Sequence, residues 1–198
     1  MLSSVYQQAL RWGWVDSNPC RGVRRNPERP RDRHVSDREI AALREACDGQ
    51  MRCIIELVLL TGLRKGDVLA IRLSDLRPDG LYVEISKTRR RLLFEWTPAL
   101  TDVIDHTKRL RRVVGSLYLF ANRKGQPYTT VGFDSIWQGL KKRSGLTFTF
   151  HDLRARALTD AKHQGGRDYA QALAGHQDGS TTERYIRNRD VERVRPLR

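Results

Sequence analysis

Apolar positions follow a helical rhythm along most of the chain and a two-residue rhythm in one short stretch. Val5, Ala9 and Trp12 recur at helical spacing and predict a first helix over residues 2–12. Asn18-Pro19 breaks that pattern, and residues 21–33, rich in Arg and Pro, read as a linker. Ser36 stands three residues before Glu39, the form of a capping box, ahead of a helix carrying Ile40, Leu43 and Ala46. A largely buried helix is expected from about Gln50 to Leu60, ending near Thr61-Gly62, and a short one from Asp67 to Ile71. Then Leu81, Val83 and Ile85, followed by Leu92, Phe94 and Trp96, alternate on either side of a polar Lys/Arg connection. That period of two predicts an antiparallel hairpin. With helices completing the chain, the expected fold is mixed, mainly α with a small antiparallel β-sheet.

Charge changes the picture from a generic fold to a choice of partner. The 198 residues include 37 Lys and Arg against 23 Asp and Glu, a net charge of +14. The cations gather in runs, at residues 21–33, 87–91, 108–112, 141–143 and 187–198. Such a surface suits a polyanion, because each phosphate neutralised releases condensed counterions. A membrane surface is disfavoured, since no basic amphipathic helix or lipidation signal is present. Three cysteines without metal-ligand spacing point to a reduced cytoplasmic compartment, and no apolar segment follows a basic stretch at the N-terminus.

Three short motifs carry the chemistry. In Thr61-Gly62-Leu63-Arg64-Lys65-Gly66-Asp67, Gly62 can end a helix in the left-handed conformation and aim Arg64 into a pocket, with Asp67 placed to hold its guanidinium. In His151-Asp152-Leu153-Arg154 the imidazole and the guanidinium share one helical face, Asp152 is a candidate N-cap, and Gly165-Gly166 is expected to end the helix. In the third, Gly175 ends a helix before His176, and Ser180-x-x-Glu183 opens another that carries Tyr185. Together they offer phosphate-binding cations, imidazoles for proton exchange and a phenol nucleophile. His34, His106 and His163 belong to none of these motifs. No Cys/His or acidic cluster has metal spacing and no glycine-rich phosphate loop is present, so neither a metal nor another cofactor is expected.

The order and spacing of these motifs resemble the tyrosine recombinases, also called the phage integrase family, over residues 33–198. Residues 1–32 resemble the last helix of the separate core-binding domain of that family followed by a basic linker. The resemblance implies that Arg64, Arg154 and His176 bind the phosphate, that His151 assists proton transfer and that Tyr185 attacks. It also places a mobile catalytic lysine just past the first hairpin strand, where Ser86-Lys87-Thr88 is the best match; Lys87 leads over Arg89, Arg90 and Arg91. Two departures stand out: Ala155-Arg156-Ala157 replaces the usual apolar run after the arginine, and Ala174-Gly175-His176 replaces Leu-Gly-His. The implied activity is cleavage and rejoining of double-stranded DNA through a 3′-phosphotyrosine, without metal or ATP. Four protomers would act on two duplexes in a prokaryotic host, with accessory DNA-bending proteins as companions in some systems. The competing expectation is a catalytically silent DNA-binding regulator that keeps the fold.

Overall fold

The computed structural model describes residues 2–23, 33–47, 49–110 and 115–175. Two compact units divide the chain, residues 1–30 and 31–198. In the first, α1 (Leu2–Arg11) is followed by a turn that Asn18 ties back, its Nδ2 donating to the Ser3 carbonyl at 3.1 Å. No α1 residue is buried, and Leu2, Val5, Trp12 and Trp14 are exposed within this unit.

The second unit is mainly helical with a small antiparallel sheet. Its helices are α2 (Asp37–Ala46), α3 (Gly49–Thr61), α4 (Lys65–Leu69), α5 (Pro98–Arg109), α6 (Thr130–Ser144) and α7 (Phe150–Ala174). A sheet in the order β1-β2-β3 lies between α4 and α5 in sequence: β1 (Leu76–Arg77), β2 (Gly80–Glu84) and β3 (Arg91–Glu95). The register pairs Leu81 with Phe94 and Val83 with Leu92, so the predicted alternation is the sheet's buried face. The two-residue β1, which pairs Leu76 with Leu81, was not foreseen; it is too short to show any alternation.

At the centre lies α3, packed against both α5 and α7. Ile54, Ile55, Leu57 and Val58 are almost wholly buried there, each contributing roughly 1.5–3 kcal/mol through loss of contact with water. The same core extends to α6 and the start of α7, where Phe133 and Trp137 meet Phe150 edge-on at 4.9 and 5.3 Å. None of the described helices is long and apolar enough to cross a membrane.

The ends of the elements follow local chemistry. Ser36 caps α2 as expected: Glu39 N donates to Ser36 Oγ at 3.3 Å, and Ser36 N donates to Glu39 Oε2 at 3.0 Å. The cap of α7 differs from expectation. Thr149 is the N-cap, and Asp152 instead accepts from Thr149 N at 2.8 Å and Thr149 Oγ1 at 2.7 Å. A carboxylate one turn into the helix reaches back to the cap more readily than it caps from a helical position. Gly165-Gly166 was expected to end this helix, but the chain bends and resumes. Gly166 takes φ 82°, ψ −175°, and helical residues continue to Ala174.

Arg156, whose place after Arg154 departed from the family pattern, holds α7 to the start of α2. Its Nη1 donates to the Val35 carbonyl at 2.7 Å, Nη2 to Asp37 at 2.6 Å and Nε to Asp160 at 2.8 Å. The hydrogen bond and charge of Arg156 hold the Asp37 carboxyl below its ordinary value of 3.8. A depressed carboxylate adds stability above its unfolded value and loses it as pH falls through its folded value. Arg156→Leu should therefore be less stable than the parent near neutrality, and the difference should shrink below about pH 4, measured by urea denaturation across that range.

Candidate active site

The site begins where α3 stops. Thr61 Oγ1 donates to the Leu57 carbonyl at 2.6 Å, and Gly62 N to the Val58 carbonyl at 2.8 Å. Gly62 then takes φ 62°, as the sequence suggested, in a place where an added Cβ would also lie 3.2 Å from Leu158 Cδ2. Leu63 is wholly buried and pins the turn, leaving Arg64 extended (φ −72°, ψ 151°) as the N-cap of α4. The Arg64 Nη1 atom is buried and has no hydrogen-bond partner.

Asp67 does not hold Arg64. Its Oδ1 accepts from Ser86 N at 3.0 Å, tying α4 to the turn beyond β2. With α4 starting at Lys65, two residues earlier than expected, the Asp67 carboxylate meets the backbone N–H at the strand end. Its Oδ2 is buried without a partner, as is Nη1 of Arg64.

Arg154 is the most completely buried charged residue of the described chain, at 1% exposure. Its Nη1 donates to the Gly62 carbonyl, 92 residues away, and its Nη2 to the Ala174 carbonyl at 2.9 Å. Both acceptors lie where a helix ends in a left-handed glycine: Gly62 after α3 and Gly175 (φ 62°) after α7. Helix C-termini leave carbonyls unpaired and carry partial negative charge, so one buried cation serves two helix ends. His151, one turn earlier on the same face, is exposed.

Arg64, His151 and Arg154 line one cavity of about 420 Å³. Its remaining wall comes from Leu63 and Lys65 and from Asp134, Trp137 and Gln138 of α6, with Thr149 and Phe150. The sequence reading missed this α6 wall. The spacing of Asp134, Trp137 and Gln138 fits one helical face, but nothing local connects that face to Arg64.

Lys87 is exposed in the turn between β2 and β3 and is not part of the cavity wall. Ser86 N donating to Asp67, and Thr88 Oγ1 to the Gly175 carbonyl at a long 3.4 Å, tie its turn to other elements. Arg89 (φ 58°) and Arg91 both face Glu84, at 3.1 and 3.8 Å. Gly175 sits close beneath the hairpin, where an added Cβ would lie 3.1 Å from Ile85 Cγ1. His176 and Tyr185 lie outside the described residues.

A model of the phage integrase family matches residues 33–192. The chain belongs to this family. Among phage integrase relatives, that of Escherichia phage HK022 is 27% identical over 203 residues, covering 96% of this chain and 57% of the relative. The chain thus spans 57% of the length of that curated relative. Among solved members, a lambda integrase dimer bound to a COC′ core site superposes with TM-score 0.79 at 25% identity, over 98% of this chain and 59% of that one. A lambda integrase tetramer bound to a Holliday junction shares the fold, with TM-score 0.79 at 24% identity over 98% of this chain and 60% of that one.

The two arginines of this integrase-family site should respond oppositely to neutralisation. Arg154→Met strands two buried carbonyls and should destabilise the fold by about 1–3 kcal/mol for each. Arg64→Met removes a buried donor that has no partner, relieves its desolvation penalty, and should not lower stability. Urea denaturation of both variants at neutral pH measures the contrast.

Proposed function

We propose that residues 33–198 are the catalytic domain of a site-specific DNA recombinase, and that residues 1–32 are the end of a core-binding domain with its basic linker. The observation that carries this reading is the convergence of Arg64, His151 and Arg154 on one cavity. The Lys87 turn is moored to Gly175, the residue immediately before His176.

A phosphodiester resists attack because its charge repels nucleophiles and its alkoxide leaves poorly. The proposed site divides these tasks. Arg64, Arg154 and His176 bind the non-bridging oxygens and stabilise the charge of the pentavalent transition state. Preorganised donors of this kind contribute about 2.7–4 kcal/mol each by single deletion. Arg154 acts from a buried position, where a charge is weakly screened. Tyr185 loses its proton to a base such as His151 and attacks phosphorus in line. The bond to the 5′-oxygen breaks, Lys87 protonates that oxygen, and a 3′-phosphotyrosine remains. A second 5′-hydroxyl then gives its proton to Lys87 and attacks the phosphotyrosine; the phosphodiester reforms, the bond to Tyr185 breaks, and His151 returns its proton to the departing phenolate. Because the covalent intermediate conserves the bond energy, neither metal nor ATP is needed. Duplex DNA in a prokaryotic cytoplasm is the substrate. Assembly as four protomers on two duplexes is supported by the likeness to the lambda integrase tetramer.

The test is covalent capture on fragmented DNA from the source genome, with chelator present throughout. Adducts that survive detergent should form with the parent chain and vanish with Tyr185→Phe, while salt-sensitive DNA binding persists. Adducts with both proteins overturn the nucleophile; binding without adducts in either favours the silent regulator. Lys87→Ala should slow cleavage by about 100- to 10,000-fold, as loss of a general acid does. A substrate with sulfur at the 5′-bridging position, which leaves without a proton, should restore most of that rate, read by single-turnover cleavage.

A further inference from the structure

The cavity wall facing Arg64 and Arg154 contains a carboxylate, which is the wrong charge for a phosphate site. Asp134, on α6, reaches Lys65 across 69 residues of sequence, with Nζ 2.5 Å from Oδ1. Lys65 directly follows Arg64 in the chain, and both line the cavity. Adjacent Cα atoms are about 3.8 Å apart, so a phosphate that engages Arg64 arrives within reach of the lysine.

Exposure differs along the pair. The Lys65 side chain is 26% exposed, with Nζ 6.0 Å from the centre of the Phe133 ring, whereas Asp134 is 49% exposed. The lysine is therefore mostly packed, while the carboxylate is open enough to take water when the ammonium leaves. An ion pair this exposed contributes little to stability, so the fold does not depend on it.

We infer that Lys65 is an additional phosphate-binding cation of this site, masked by Asp134, so that the pair sets how strongly the cavity grips a DNA backbone. The inference rests on the DNA-binding reading above. While Asp134 holds Lys65, the lysine adds nothing to counterion release. A neutral residue at 134 turns the ammonium toward the nearest phosphate. The pair thus trims backbone affinity that a chain of net charge +14 would otherwise have in excess.

The experiment compares the parent chain with Asp134→Asn, Lys65→Met and the double variant. The probe is a fluorescent random-sequence duplex of about 30 base pairs, titrated from about 50 to about 200 mM salt. Asp134→Asn should bind more tightly and steepen the plot of log affinity against log salt by about 0.9, the increment for one phosphate contact. Its advantage over the parent should then be roughly 3.5-fold greater at the low end of that range. With Lys65→Met already present, Asp134→Asn should leave the slope unchanged. An equal change with and without Lys65 would show that the carboxylate repels DNA directly, and overturns the inference. So does a fall in melting temperature with no change in binding, which is the mark of a structural pair. Absence of salt-dependent binding by the parent chain overturns the proposed function itself, so the two failures are told apart.

Discussion

Everything around the candidate site depends on one buried guanidinium bonded to two carbonyls. Taking a charge out of water is costly, and the structure offsets that cost by giving Arg154 acceptors that are themselves short of donors. The Gly62 and Ala174 carbonyls are the loose ends of α3 and α7. Each helix end would be poorly satisfied alone, and so would the cation. Together they fix where two chain segments enter the cavity.

From that clamp the contacts run round in a ring. Gly62 leads through Leu63 to Arg64 and α4; Asp67 of α4 accepts from Ser86 at the start of the Lys87 turn. Thr88, on the other side of Lys87, reaches the Gly175 carbonyl, and Ala174 beside it returns to Arg154. Three regions far apart in sequence are thus registered against one another through backbone groups. Members of one hydrogen-bond circuit couple energetically, so loosening one joint is felt at the others. The Lys65–Asp134 pair lies outside this ring, which is why its charge can vary without disturbing the frame.

What the sequence disclosed follows the range of each interaction. The capping box at Ser36, the hairpin alternation and the left-handed ends at Gly62 and Gly175 are written within a few residues, and all three were legible. Arg64, His151 and Arg154 could be nominated as partners from motif order, although their shared cavity is a matter of tertiary packing. Asp67 shows the limit: a carboxylate three residues past an arginine has two plausible donors, and only the placement of the hairpin favours Ser86. Asp134 shows it more sharply, since its partner lies on another helix. Gly165-Gly166 was a legible interruption, but whether a chain stops or bends at a glycine depends on what the next turn can pack against. Here Ala170 and Ala174 are buried, and the helix resumes.

The acceptors in the clamp are main-chain oxygens, and every amino acid supplies one. Arg154 is therefore indifferent to side-chain identity at positions 62 and 174 in the contact itself. Constraint at those positions comes from elsewhere: from the positive φ at Gly62, and from the space around buried Ala174. The residue that precedes Gly175 can change without loss of the acceptor, provided the packing adjusts. The geometry of the site is in this sense buffered against mutation, with its heritable burden concentrated on a single arginine codon.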